Sequence, residues 1–323
     1  MIMEHFQFSR QDRYKQRIKF DFPDYFSNFD YEMGSKKGCL VFPLFIGFKD
    51  IVPTYHINSA FWAAHSFLVN SDIVEAQVPI YFYIEKRLWA VAEDQFRRSG
   101  ISESRFMHYE RPDYTPAGDG QWFTQELYLI LDERFDAYDN VLFFDTDLFL
   151  ASAGSKNPFK ISQLWERRDR RLMSTCNIVP YLSRNPRWNY FYELPEDEGR
   201  KKWIRLAEQA LGVRTERVHH SRGVIHSFCP EFLSPDFKTF IHTAVHLFGS
   251  EENTLSLYMQ WSGKMLEDLI QTWCVPLVQS AEEMREAAQT ATHFFTHIRR
   301  GLMEAPEDEA AWREYIGQER RLG

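Results

Sequence analysis

The stretch VLFFDTDLFL, residues 141–150, decides the fold. It follows Asn140 and begins with four apolar residues, a pattern typical of a short, fully buried strand. Asp145 and Asp147 interrupt the apolar run, and Leu148 resumes it. We therefore expect a strand over residues 141–144 that delivers two carboxylates at the carboxyl edge of a sheet.

Apolar runs and helical patterns alternate upstream of this stretch. Strands are predicted over residues 39–46, 79–84 and 105–109, and helices over residues 55–70, 87–98 and 122–135. Alternation of this kind predicts βαβ units in one large α/β domain. We expect a Rossmann-like, mixed but mainly parallel sheet flanked by helices, with the functional site at the carboxyl ends of its strands. Neither GxGxxG after the first strand nor GxxxxGK[ST] occurs, which disfavours a dinucleotide site and a P-loop.

The second half of the chain is less regular. Strands are predicted over residues 172–179 and 223–228, and helices over residues 201–211, 236–247, 254–261, 282–291 and 307–321. We divide the chain into an N-terminal extension, residues 1–37, a main domain, residues 38–301, and a charged C-terminal helix, residues 302–323. The main domain has two functional halves that meet near residue 150.

Composition narrows the class of protein. The chain has 323 residues, of which 44% are hydrophobic and 26% charged, which excludes a disordered or fibrous protein. A net charge of −8 argues against a broad basic surface for binding nucleic acid. Four cysteines without a CxxC pair indicate free thiols in a reducing compartment. Because the sequence shows no apolar leader and no apolar run of membrane-spanning length, we expect a cytoplasmic protein without a transmembrane segment.

Two carboxylates at a buried sheet edge need a compensating charge. Burial of an unpaired charge costs several kcal/mol, by the order of magnitude known for proteins. Hard oxygen ligands suit Mn²⁺ or Mg²⁺, which also hold substrate phosphates. Because a bare D-x-D pattern occurs often by chance, the apolar strand before Asp145 is what favours this interpretation. The alternative is a pair of solvated carboxylates in a turn.

Several segments together resemble one enzyme family. FFDTDLFL, after a βαβαβ half, resembles the DxD signature of nucleotide-sugar-dependent glycosyltransferases of the GT-A fold. Pro158-Phe159-Lys160 resembles the segment that leaves the metal site. SRGVI, residues 221–225, resembles the strand that lines the sugar pocket, and EENTLS, residues 251–256, resembles the start of the helix beside the reacting centre. HFFTHIRRG, residues 293–301, resembles the C-terminal histidine segment of glycogenin-like members.

The resemblance implies a role for each matching residue. It implies a metal site formed by Asp145, Asp147 and a histidine, either His297 or His293, with Asp145 also available to the nucleotide. It implies a donor site with further contacts from Ser221, Gly223, Arg299 and Arg300. Glu251 and Glu252 would bind sugar hydroxyls or act as a general base; as helix-capping residues after Ser250 they would have no such role. The alternative for both histidines is an ordinary surface or helix position.

Position alone adds five donor-site candidates. Phe45, Gly47 and Tyr55, around the end of the first strand, are candidate nucleoside contacts. Lys86 and Arg87 follow the second strand and are candidate phosphate contacts.

The function that these residues predict is a metal-dependent glycosyltransferase, either a hexosyl- or a pentosyltransferase. A UDP-sugar is favoured over a GDP-sugar as donor. The acceptor hydroxyl stays open among a glycan, a protein side chain, a lipid-linked sugar and a modified nucleobase. One alternative is a haloacid-dehalogenase-like phosphatase, whose D-x-D motif usually opens the domain rather than following 140 residues of chain. The other is a protein that binds nucleotide sugars without catalysis.

Overall fold

The computed structural model describes about a third of the chain. The described residues are 26, 28–44, 54–110, 132–144, 146, 148–150 and 160–161, with short strands between residues 173 and 298; for those strands, residues 54–56 and Phe143 the backbone alone is described. The chain divides into two compact units. The first consists of residues 1–111, 141–168 and 270–323, and the second consists of residues 112–140 and 169–269.

The centre of the first unit is a parallel sheet. Its strands are β1 (Cys39–Leu44), β2 (Ile80–Glu85), β3 (Phe106–Tyr109) and β4 (Val141–Phe144). They lie side by side in the order β3-β2-β1-β4, and every pairing between them is parallel. Helix α1 (Thr54–Asn70) connects β1 to β2, and helix α2 (Lys86–Arg98) connects β2 to β3. The predicted α/β class, with a parallel Rossmann-like sheet and helices packed on it, is confirmed.

A row of phenylalanines crosses one face of the sheet. Phe42, Phe82 and Phe106 are in register on neighbouring strands, and Phe144 stacks beside Phe42 with ring centroids 5.7 Å apart. Helix α1 covers the row with Phe61, which stacks on Phe82 at 4.7 Å, and with Phe67, which lies 4.6 Å from Phe144. Buried aromatic rings of this size dominate the energy of a core. The row therefore holds α1 in a defined position on the sheet.

An N-terminal arm, residue 26 and residues 28–38, lies against the amino ends of β2 and β3. Phe29 is fully buried and stacks on Phe82 at 5.8 Å. Arg105, buried just before β3, donates from Nη2 to the carbonyls of Phe29 (2.5 Å) and Tyr31 (2.9 Å). The Tyr31 hydroxyl donates to the carbonyl of Val78. Burial raises the pKa of Tyr31 to about 12, although the neighbouring Arg105 acts in the opposite direction.

A smaller sheet in the first unit contains the residues after the paired carboxylates. Strand β5 (Leu148–Leu150) pairs antiparallel with β12 (Phe295–Ile298), which in turn pairs parallel with β11 (Leu277–Val278). In the second unit, β6 (Met173–Ser174) pairs with β10 (Glu267–Asp268), and β7 (Cys176–Asn177) pairs with β8 (His220–Ser221). Strand β9 (Ile225–Phe228) also belongs to this unit.

Most predicted elements that fall on described residues begin and end within one or two residues of their expected limits. The predicted helix over residues 122–135 is wrong at its end, where Glu133–Ala137 forms a 3-10 turn. The side chain of Asp132 causes the difference, since it accepts a hydrogen bond from the Arg134 amide and closes a tight turn. The predicted strand over residues 172–179 is two short strands, because β6 and β7 pair with different partners.

Two further findings concern burial and membrane spans. Cys39 is a free, fully buried thiol, and burial raises its pKa well above the usual value. Neither of the helices in the described part of the chain combines the length and the apolar character needed to cross a bilayer.

Candidate functional site

The site is located by the order of the strands. The chain runs outward from β1 through β2 to β3, then returns to β4 on the other side of β1. In open α/β sheets, ligands bind in the crevice outside the carboxyl ends of the strands where this order reverses. The crevice between β1 and β4 is therefore the candidate site, and Asp145 is the residue that follows β4.

Pro43 opens the sheet at that crevice. The Leu40 amide donates to the Pro79 carbonyl, so the polar groups of Leu40 and Phe42 face β2, and the nitrogen of Pro43 faces β4. Proline has no N–H to contribute to a ladder. The pairing of β1 with β4 ends at Val41 and Phe143, whereas the pairing of β1 with β2 continues to Leu44. Within the described residues, the pairing at the crevice thus stops one residue before the end of β4, whereas β1 stays paired with β2.

The described residues around the carboxylate pair are buried. Phe144 and Leu148 are fully buried, and Thr146, between the two aspartates, is 1% exposed. Asp145 and Asp147 themselves lie outside the described residues. Their neighbours on both sides, Phe144, Thr146 and Leu148, are the buried residues that the structure describes here.

The C-terminal histidine segment forms a strand beside this motif. In the antiparallel pairing of β12 with β5, His297 is opposite Leu148, the residue after Asp147. Directly opposed residues of such strands have Cα atoms about 4.5–5.5 Å apart. The alternative that residues 295–298 belong to a helix is therefore wrong. His293, Arg299 and Arg300 fall outside the described residues on either side of β12.

Two ion pairs lie at the carboxyl ends of β2 and β3. Glu85, the last residue of β2, is fully buried, and Arg87 Nη2 lies 2.6 Å from its Oε1. Lys86 Nζ lies 2.5 Å from Oε1 of Glu110, in an exposed pair that holds the pKa of Glu110 below its usual value. Both predicted phosphate contacts, Lys86 and Arg87, thus have a carboxylate partner in this structure.

The remaining predicted residues are only partly covered by the structure. Tyr55 lies in the first turn of α1, and Ser221 lies in β8; only the backbone is described for these two. Phe45, Gly47, Gly223, Glu251 and Glu252 lie outside the described residues. Their assignment to the donor or catalytic site stays a prediction.

Sequence reasoning overlooked three polar residues that the structure connects to this region. Glu85 is a buried carboxylate at the carboxyl edge, and the abrupt change from PIYFYI to Glu-Lys-Arg is a signal that can identify it. In α1, Ser66 Oγ accepts a hydrogen bond from the Leu150 amide, and Asn70 Nδ2 donates one to the Leu150 carbonyl. They follow the helical pattern of α1 without any local signal of a distant partner.

Comparison with known proteins shows a likeness among solved structures only. No family model matches the chain, and no curated protein matches it. Among solved structures, a glycosyltransferase involved in the glycosylation of the major capsid of PBCV-1 is similar, with 12% identity and a TM-score of 0.39. The likeness covers 84% of this chain and 98% of that one. At this level of similarity, the interpretation of the site depends on the residues of this chain.

Proposed function

We propose that the protein is a metal-dependent glycosyltransferase that moves a sugar from a nucleotide-sugar donor, with a UDP-sugar favoured, to an acceptor hydroxyl. The donor would occupy the crevice between β1 and β4. Asp147 would bind Mn²⁺ or Mg²⁺ directly, and Asp145 would bind the same ion or the nucleotide.

The observation that carries the proposal is the register of β12 on β5. Two carboxylates alone make an incomplete site for a divalent ion, and an imidazole is a suitable additional ligand for Mn²⁺. His297 is some 150 residues distant in sequence, on the order of half the chain, yet it is opposite the residue after Asp147. A donor set of two carboxylates and an imidazole fits Mn²⁺, and the two carboxylates by themselves also suit Mg²⁺.

Each residue of the proposed site would have a defined role. Asp145, Asp147 and His297 would hold the ion, which when bound stabilises the charge that develops on the leaving diphosphate. Arg299 and Arg300, which directly follow β12 in sequence, would contact the same diphosphate. Glu251 or Glu252 would orient the sugar or take the proton of the acceptor hydroxyl.

A thermal-shift experiment tests this proposal. We expect UDP and UDP-glucose to raise the melting temperature with Mn²⁺ present, and to do so far less in EDTA. A ligand at 100 times its Kd stabilises the folded state by about 2.7 kcal/mol, which is easily measured. GDP-mannose serves as the competing donor, and UMP serves as the control that lacks the second phosphate.

Each outcome separates the proposal from its alternatives. Hydrolysis of the bound UDP-sugar to UDP and free sugar, with water in place of the acceptor and stimulated by Mn²⁺, supports the transferase. Metal-dependent binding without any release of UDP would favour a protein that binds nucleotide sugars without catalysis. A protein that ignores every nucleotide sugar but hydrolyses phosphomonoesters with Mg²⁺ would contradict the proposal in favour of the phosphatase.

A further inference from the structure

Helix α1 holds both backbone polar groups of Leu150, the last residue of β5. Ser66 Oγ accepts a hydrogen bond from the Leu150 amide at 3.0 Å, and Asn70 Nδ2 donates to the Leu150 carbonyl at 3.0 Å. Ser66 is fully buried and also donates to the Ala63 carbonyl at 2.6 Å. These contacts join residues 80 and 84 positions apart in the chain.

The same helix contacts the chain on the other side of the aspartates. Phe67, next to Ser66 in sequence, packs on Phe144 with ring centroids 4.6 Å apart. Phe144 directly precedes Asp145, and Leu150 comes three residues after Asp147. Neighbouring residues of one helix therefore fix both ends of the segment that contains the two carboxylates.

Strand β5 has a second constraint along its other edge. It pairs with β12, whose His297 is opposite Leu148. Because α1 satisfies the polar groups of Leu150 and β12 supplies the antiparallel partner, β5 is held between a helix and a strand. The contacts of Leu150 with α1 therefore fix the position of β5, and the pairing of β5 with β12 extends this constraint to β12.

We propose that Ser66 and Asn70 are positioning residues of the metal site: they hold β5 on α1 so that Asp145, Asp147 and His297 converge on one ion. This inference rests on the proposed function. Neither residue contacts the ion or the donor. They act through the backbone of Leu150, as outer partners act on the direct ligands of other metal sites.

The expected size of the effect follows from metal geometry. Bonds from oxygen to Mg²⁺ are about 2.0–2.1 Å long and tolerate little displacement. Loss of an outer partner of a metal site typically weakens metal binding about 10- to 100-fold. Removal of Ser66 Oγ leaves the buried Leu150 amide without its acceptor, so β5 has to shift or admit water.

A matched pair of variants tests the inference. Ser99 resembles Ser66 closely: it is fully buried, donates from Oγ to the Phe96 carbonyl three residues back and accepts from the Ile101 amide. It stands at the end of α2, and these hydrogen bonds join it to Phe96 and Ile101 rather than to β5. Ser66→Ala and Ser99→Ala therefore delete the same group from equally buried sites.

The measurement is the affinity for UDP by calorimetry, once with saturating Mn²⁺ and once in EDTA, beside a urea denaturation curve. We expect both variants to lose stability to a similar extent. The factor by which Mn²⁺ raises the affinity for UDP should fall about tenfold in Ser66→Ala and should not change in Ser99→Ala. The affinity of Ser66→Ala for UDP in EDTA should be unchanged. Asn70→Asp, which removes the donor to Leu150 from a half-buried site, should behave like Ser66→Ala and provides the test if Ser66→Ala does not fold.

Failure of the inference and failure of the proposed function look different. If Mn²⁺ does not raise the affinity of the unaltered protein for UDP, the proposed function and the positioning role are both wrong. If the unaltered protein gains affinity and Ser66→Ala and Asn70→Asp gain as much, the positioning role alone is wrong. An equal loss in Ser66→Ala and Ser99→Ala would likewise overturn it, because the effect would then be general destabilisation.

Discussion

Asp147→Asn is expected to lower the rate of sugar transfer about a thousandfold, since the charge stabilisation that a bound metal ion provides is worth several kcal/mol. The substitution keeps the size of the side chain and removes one negative charge from beside Asp145. Asparagine is a poorer ligand for a hard divalent cation than a carboxylate. The variant should also lose the stabilisation by UDP that requires Mn²⁺.

The fold of this variant should survive without metal. Two neighbouring carboxylates repel each other when no cation is present, so the melting temperature of the metal-free variant should equal or exceed that of the unaltered protein. Asp139→Asn is the matched control, because it removes the same charge from an exposed position just before β4. Unchanged Mn²⁺-dependent UDP binding in Asp147→Asn would exclude Asp147 as a metal ligand.

Arg105→Ala is expected to destabilise the protein by about 3 kcal/mol, the size of effect seen when a buried charged hydrogen-bond network is broken. Its guanidinium lies over the Tyr31 ring, 4.5 Å from the centroid, and donates to two carbonyls of the N-terminal arm. The substitution leaves the Phe29 carbonyl, in a buried position, without this donor. The free energy of unfolding, measured with urea, reports the loss.

An exposed arginine provides the control for this prediction. Arg97 has a side chain that is 50% exposed, and it forms ion pairs of 2.8 Å with Glu93 and Glu103. Because surface ion pairs contribute little, Arg97→Ala should change the free energy of unfolding far less than Arg105→Ala. Equal effects of the two substitutions would contradict a specific role of Arg105 in holding the arm. The transfer rate of folded Arg105→Ala should be unaltered, since the arm contacts the amino ends of the strands.

Local elements were predictable because local patterns determine them. The four strands of the central sheet each contain a short apolar run, and α1 and α2 show apolar residues at helical spacing. Chain order then determines most of the topology, since βαβ units have a fixed hand. The position of Asp145 and Asp147 after β4 followed from these rules without any knowledge of tertiary contacts.

Long-range partners were not predictable in the same way. A family resemblance singled out His297, but nothing in its neighbourhood specifies that β12 pairs with β5 rather than with another strand. Ser66 looks like any small residue on the inner face of a helix, and its partner Leu150 is 84 residues away. The predicted end of the helix over residues 122–135 was wrong for a local reason. The side chain of Asp132 closes a turn there and overrides the helical pattern.

The pairing of β12 with β5 also has a consequence for the order in which the protein folds. Its residues are roughly 150 positions apart, and the entropy of closing a loop rises with its length, so this contact should form after the nearer pairing of β1 with β2. A chain still emerging from the ribosome has both aspartates long before it has β12. Pulse-labelled hydrogen exchange during refolding should protect the amides of β1 and β2 first and those of β12 last. The proposed metal site would then be complete only at the end of folding, so that an incomplete chain would not offer all of its ligands.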